Sequence, residues 1–166
     1  MIICYTNLFE GRVPEITALL HRSYKPLAEK GMQYLASHQS CEKTLERLNE
    51  GESYLYLLDD EIVGTITLRP HQTNNSCDWY NKKNIYSFGQ FAINPELQGH
   101  GLGTKLMDFI ESRALELKVD EIALDTSEHA EQLIKMYTKR GYRFVAHVQW
   151  SVTNYRSVVM SKKLTP

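Results

Sequence analysis

The stretch Phe91-Ala92-Ile93-Asn94-Pro95-Glu96-Leu97-Gln98-Gly99-His100-Gly101-Leu102-Gly103-Thr104 decides how this chain is read. It opens as the end of an apolar strand, Ile85 to Ile93, and turns at Asn94-Pro95. It then crosses three alternate glycines and enters a helix from about Leu102 to Lys118, with Leu106, Met107, Ile110, Ala114 and Leu117 along one stripe. Glycine permits positive φ and lets a ligand approach the main chain. The first amides of a helix lack intrahelical partners, and the helix dipole favours negative charge beside them. The expected guest is a phosphate or pyrophosphate. A dinucleotide fingerprint and a Walker A loop, each counted from Gly99, both fail at Thr104.

Upstream, Ile2 to Tyr5 reads as a first strand. Pro14 suits the first turn of a helix whose apolar positions are Val13, Ile16, Leu19, Leu20 and Tyr24. A second helix runs from Ser40, its cap, to Asn49, with Gly51 as the stop. The segment Pro26 to Gln39 is polar and aromatic and has no assigned structure. Ser53–Leu58 and Glu61–Leu68 are strands joined by a tight turn at Asp59-Asp60, and Pro70–Lys83 is a polar loop. Gly89, inside the strand before the turn, marks a bulge or a close backbone approach.

Downstream, Glu121–Thr126 is a strand. Ala130, Leu133, Ile134 and Tyr137 fall on one helical face that closes at Gly141. Tyr142–Trp150 and Tyr155–Lys163 are the last strands. The order β-α-α-β-β-β-α-β-α-β-β implies an α+β, or mixed α/β, domain over residues 1–166.

The 166 residues carry 19 basic and 20 acidic side chains, a net charge of −1, and offer no field for nucleic acid or an anionic membrane. Cys4, Cys41 and Cys77 are far apart and form no Cys-x-x-Cys pair, which points to reduced thiols and a cytoplasmic location. The first residues lack a basic, then apolar, leader, and no apolar run approaches the roughly 20 residues that span a bilayer. None of the six histidines pairs at i, i+4 spacing, so no metal site is expected.

Phe91-Ala92-Ile93-Asn94-Pro95, followed by Gln98-x-x-Gly101-x-Gly103, resembles the coenzyme A signature of the GNAT superfamily of N-acetyltransferases. Tyr137-Thr138-Lys139-Arg140-Gly141-Tyr142 resembles its second signature, and the element order matches over nearly the whole chain. The resemblance implies a mostly antiparallel, twisted central sheet, splayed in the middle and flanked by about four helices. It implies acetyl transfer from acetyl-CoA to a primary amine of a small molecule, a peptide or a protein by direct attack. The pyrophosphate would lie on the amides of Gln98, Gly99, His100, Gly101, Leu102, Gly103 and Thr104. The pantetheine arm would pair with Phe91, Ala92 and Ile93 like an added strand, and an N–H near Phe91 would meet the oxyanion. Tyr137 would protonate the leaving thiolate; spacing alone makes it a core residue.

Two positions depart from the family pattern. Ala130 stands where an Asn often contacts the coenzyme arm, leaving Ser127, Glu128 or His129 as substitutes. Tyr86-Ser87-Phe88-Gly89-Gln90 holds no carboxylate base, which leaves Asp125, Tyr86 or His147. These departures keep a non-catalytic acyl-CoA-binding module as the alternative. Tyr24–Tyr34, Trp79–Tyr86 and Trp150–Arg156 are the segments expected around the acceptor. They are aromatic and hold one acid, Glu29, which favours a modest acceptor with an apolar part over a polyamine. A homodimer would allow a partner's loops to line the same pocket.

Overall fold

A computed structural model describes residues 1–164. The layering follows from alternation along β2 (Glu52–Leu58), which is buried on both faces. Tyr54 and Tyr56 turn to one face and Leu55 and Leu57 to the other, as the two-residue period of a strand requires. The first face receives α3 (Leu102–Glu116) and α4 (Glu131–Lys139). The second receives α1 (Val13–Glu29) and α2 (Cys41–Leu48).

Between them runs a seven-stranded sheet. β1 (Ile2–Cys4), β2, β3 (Glu61–Arg69) and β4 (Ile85–Ile93) lie in chain order and pair antiparallel. β5 (Glu121–Ser127) follows β4, then β7 (Ser157–Lys163) and, at the edge, β6 (Arg143–Val148). The four helices and the mostly antiparallel sheet match the sequence expectation. Asp59 and Asp60 both take positive φ, 45° and 67°, which gives the expected hairpin a twist matched to its strands.

The one parallel pairing among the described residues, β4 with β5, joins only Ile85–Ser87 to Glu121–Ala123. Beyond Ser87 the two strands separate, and this is the expected splay. The bulge lies one residue past the expected position. Thr67 pairs with Gly89 and Thr65 with Ala92, so the extra residue falls at Gln90–Phe91, and Gln90 carries the positive φ of 48°. The extra residue also corrects the phase of β4: Phe88 and Ile93 are five apart yet share the α3 face.

Several boundaries differ from the sequence reading. α1 continues through Pro26 to Glu29, and a short turn at Leu35–Ser37 follows. α2 ends at Leu48 with Asn49 as its cap, ahead of Gly51. β6 and β7 stop short of Trp150 and Tyr155, which leaves both aromatics in a connecting loop.

Candidate active site

The glycine turn has the geometry expected of an anion seat. Gly99 and Gly101 take φ of 81° and 80°, and Gly101 leads into α3. The amides of Gly99, His100, Gly101, Leu102, Gly103 and Thr104 donate to no acceptor among the described residues; the first backbone bond of the helix is Lys105 N–H to Gly101 C=O, 3.0 Å. The turn is held from the strand side, where the Gln98 amide donates to the Ile93 carbonyl at 3.2 Å. His100 is exposed, its ring Nδ1 beside the carbonyls of Leu97 and Gln98. A groove beside the turn is lined by Thr104, Lys135, Met136, Lys139 and Arg140.

The edge of β4 that faces the splay pairs with no strand past Ser87, and its carbonyls are met by side chains while its N–H groups stay unpartnered among the described residues. Asn94 N–H donates to Val63 on β3, so by alternation Ala92 turns toward β3 while Phe91 and Ile93 face the splay. The Phe91 carbonyl accepts the Tyr24 hydroxyl at 3.0 Å, and the Ile93 carbonyl accepts that of Ser23 at 3.0 Å. On the other wall, Tyr34 bonds Thr126 Oγ1 at 2.7 Å and accepts Ser127 N–H at 3.1 Å.

The splay opens into a cleft of about 340 Å³. Phe88, Gly89 and Gln90 of β4, Asp125 and Thr126 of β5, and Tyr137 of α4 form its depth. Tyr24 and Tyr34, Tyr80 of the β3–β4 connection, and Trp150 and Tyr155 of the β6–β7 connection enclose it, as the sequence reading expected of these segments. Asn154 fixes the roof by donating to the Gly31 carbonyl at 2.9 Å and accepting Gln33 N–H at 2.9 Å.

Tyr137 is buried, packs edge-on against Tyr142 and lines the cleft, and its hydroxyl makes no hydrogen bond to another described residue. Burial first, then the neighbouring Tyr24, Tyr34 and Asp125, push its pKa well above the ordinary phenol value. The phenol therefore keeps its proton throughout the neutral range.

Of the three base candidates, only Asp125 reaches the cleft, where it accepts the Tyr80 hydroxyl and the Trp150 indole N–H, both at 2.8 Å. Tyr86 packs on the core beneath α3, and His147 stands exposed on β6 against Phe144. Trp79 and Arg156 also fall outside it: Lys82 lies 3.7 Å over the Trp79 ring, and Arg156 pairs with Glu128 at 2.7 Å. That pairing occupies Glu128, the Ser127 hydroxyl accepts the His129 amide, and Ala130 packs under Tyr34 and Tyr155.

The sequence reading missed Arg47, Arg69 and Glu50, which line the same cleft. Among the described residues, no group of three or more His, Cys, Asp or Glu is placed to hold a metal ion, and no helix is long and apolar enough to cross a membrane.

A family model described as "Acetyltransferase (GNAT) family" matches residues 13–142. The chain is 29% identical over 143 residues to an S-(2-succino)cysteine N-acetyltransferase of Bacillus subtilis (strain 168), covering 83% of this chain and 82% of that protein. It is 25% identical over 157 residues to an S-alkylcysteine N-acetyltransferase of the same organism, covering 92% and 84%. Among solved structures, a GNAT family acetyltransferase from Elizabethkingia anophelis with acetyl-CoA bound superposes with a TM-score of 0.64 at 15% identity, over 98% of this chain and 97% of that one.

Proposed function

We propose that this chain, which belongs to the GNAT acetyltransferase family, moves an acetyl group from acetyl-CoA to the amine of a small S-substituted cysteine. The observation that carries the reading is the loss of β4–β5 pairing after Ser87. It leaves an open strand edge that runs from the enclosed aromatic cleft to a turn of unpartnered amides. One extended ligand with an anionic end and a reactive end fits that path.

The turn amides from Gly99 to Thr104 hold the pyrophosphate, the Gln98 main-chain amide expected among them being spent on the Pro95 carbonyl at 3.3 Å, and the nearby Lys135 and Lys139 supply positive charge for the nucleotide end. Phe91 and Ile93 offer the edge along which the arm lies as an added strand. The amine nitrogen attacks the thioester carbonyl, a C–N bond forms, and the Phe91 amide faces the oxyanion. The C–S bond then breaks, and Tyr137 gives its proton to the departing sulfur. The surplus proton on nitrogen leaves through water on the side of Asp125.

The test is thiol release from acetyl-CoA across a panel of amines, with products identified by mass. S-substituted cysteines should head the panel and yield the N-acetyl product. A protein that binds acetyl-CoA but releases no thiol with any amine would instead be a binding module.

A further inference from the structure

The cleft holds a positive centre that acetyl transfer itself does not use. Arg12, Arg113, Arg140, Arg143 and Arg156 each hold a carboxylate within 3.0 Å. Arg47 forms no ion pair among the described residues and donates only to the neutral Gln39 Oε1, at 2.6 Å. Arg69 reaches the rim carboxylate of Glu50 at 3.3 Å, and its Nε is buried without an acceptor. Burial, and then the like charge of Arg69, depress the pKa of Arg47. Glu50 is the carboxylate at the rim that faces the pair, and it leaves the pKa of Arg47 depressed. Two guanidinium groups that feel each other in a half-buried cleft therefore still favour a further anion between them.

A third donor points the same way. A guanidinium can only donate, so Gln39 must present its oxygen to Arg47. The Gln39 nitrogen then donates to Thr44 and Gln90, both at 2.7 Å, which turns the Gln90 oxygen toward Gln39. The Gln90 nitrogen is left buried and unpartnered, on a side chain that lines the cleft. Gly89 gives Arg69 its place, since a Cβ there would stand 2.8 Å from Nη2.

We propose that Arg47, Arg69 and the Gln90 amide form a receptor for the acceptor's α-carboxylate, so that the acceptor is a free α-amino acid. This rests on the acetyltransferase reading above. A carboxylate brings two planar oxygens that match the guanidinium fork. Asp125, across the splay on β5, gives the cleft opposite polarity at its other side, which suits a zwitterion. A polyamine would meet two cations, and an internal peptide residue has no α-carboxylate to offer.

The experiment compares three acceptors: S-methylcysteine, its decarboxylated counterpart S-methylcysteamine, and S-(2-succino)cysteine. Thiol release is followed for the native protein and for Arg47→Gln, Arg69→Gln and Gly89→Ala, with acetyl-CoA affinity and melting temperature as controls of fold. The native protein should prefer S-methylcysteine over the amine by about 10²-fold or more in kcat/KM. Both arginine variants should erase that preference by raising KM for the amino acid while the amine is unaffected. Gly89→Ala, which moves only the flexible end of Arg69, should do the same in part. Equal turnover of amino acid and amine by the native protein, or equal losses on both in the variants, would overturn the receptor and leave acetyl transfer standing. Losses confined to the succinylated substrate would overturn the α-carboxylate assignment. No turnover of any of the three would overturn the function and the receptor together.

Discussion

The hydroxyls of Tyr24 and Tyr34 end on opposite walls of the cleft while their rings touch, 5.3 Å between centroids. Tyr24 bonds the Phe91 carbonyl on β4, and Tyr34 bonds Thr126 and Ser127 on β5. The pair is a strut across the splay. Tyr34→Phe leaves a buried amide and a buried hydroxyl without their partner, so it should cost about 1–3 kcal/mol in a urea titration. A double-mutant cycle of Tyr24→Phe and Tyr34→Phe should show coupling of about 0.5 kcal/mol or more, because both hydroxyls hold one ring pair in place. Additive losses would mean the walls are set independently.

Tyr137→Phe removes one hydroxyl and keeps a ring that packs on Phe88 and Tyr142. Turnover should fall by about 10²–10⁴-fold with unchanged coenzyme affinity. The raised pKa adds a sign. The acid form works below the pKa and is lost only as pH rises through it, so Tyr137 should produce no falling limb in kcat below about pH 10. A near-normal rate in the variant would return Tyr137 to the core.

Gly101→Val probes the turn. No atom lies within 4 Å of a Cβ placed there, so the penalty is the positive φ of 80° itself. A β-branched residue held in that region costs about 1–3 kcal/mol, and the turn should relax away from it. Calorimetry should record coenzyme affinity at least about tenfold weaker in a folded variant. Unchanged affinity would remove the turn from the site.

Glu52 fastens α3 to β2 through a two-pronged contact with Arg113, at 2.7 and 2.9 Å. The hydrogen bond from Arg113 is the main reason its carboxyl titrates below the usual range. A depressed carboxylate contributes stability above its unfolded pKa, about 4.3, and loses it as pH falls through the folded value. The urea midpoint should therefore drop less steeply below about pH 5 in Glu52→Gln than in the native protein. Identical acid profiles would show that this pair contributes nothing measurable, as many exposed pairs do not.

The turn and the helix stripes were legible because glycine and periodicity report local backbone. Gly99 and Gly101 do take positive φ, and α3 buries Leu106, Met107, Ile110 and Ala114 as their spacing named, while Leu117, the last of that stripe, is only part-buried at the cap past the helix end at Glu116. Gly89 was legible only as special: what it signals is the approach of Arg69, while the strained position is Gln90. Pro26 hid the last turn of α1, although a helix that has already lost one amide can still continue past it. The Arg47–Gln39–Gln90 chain was illegible, because its members sit at ordinary polar positions on separate elements. Only the tertiary fold brings residues 39, 47 and 90 together. Asp125 was one of three equal candidates until the splay separated it from Tyr86 and His147.

The three-residue seam between β4 and β5 means that this sheet has four edges instead of two. The outer pair belongs to β1 and β6; the inner pair faces itself across the cleft. Two unpaired strands so close invite zipping, which would erase the site. Ser23 and Tyr24 forestall it by occupying the carbonyls of Ile93 and Phe91, and Tyr34 does so by engaging Thr126 and the Ser127 amide. A hydroxyl satisfies one rung and cannot pass the ladder on. The side chains that hold the two strands apart thus keep the protein from completing its own sheet along this seam.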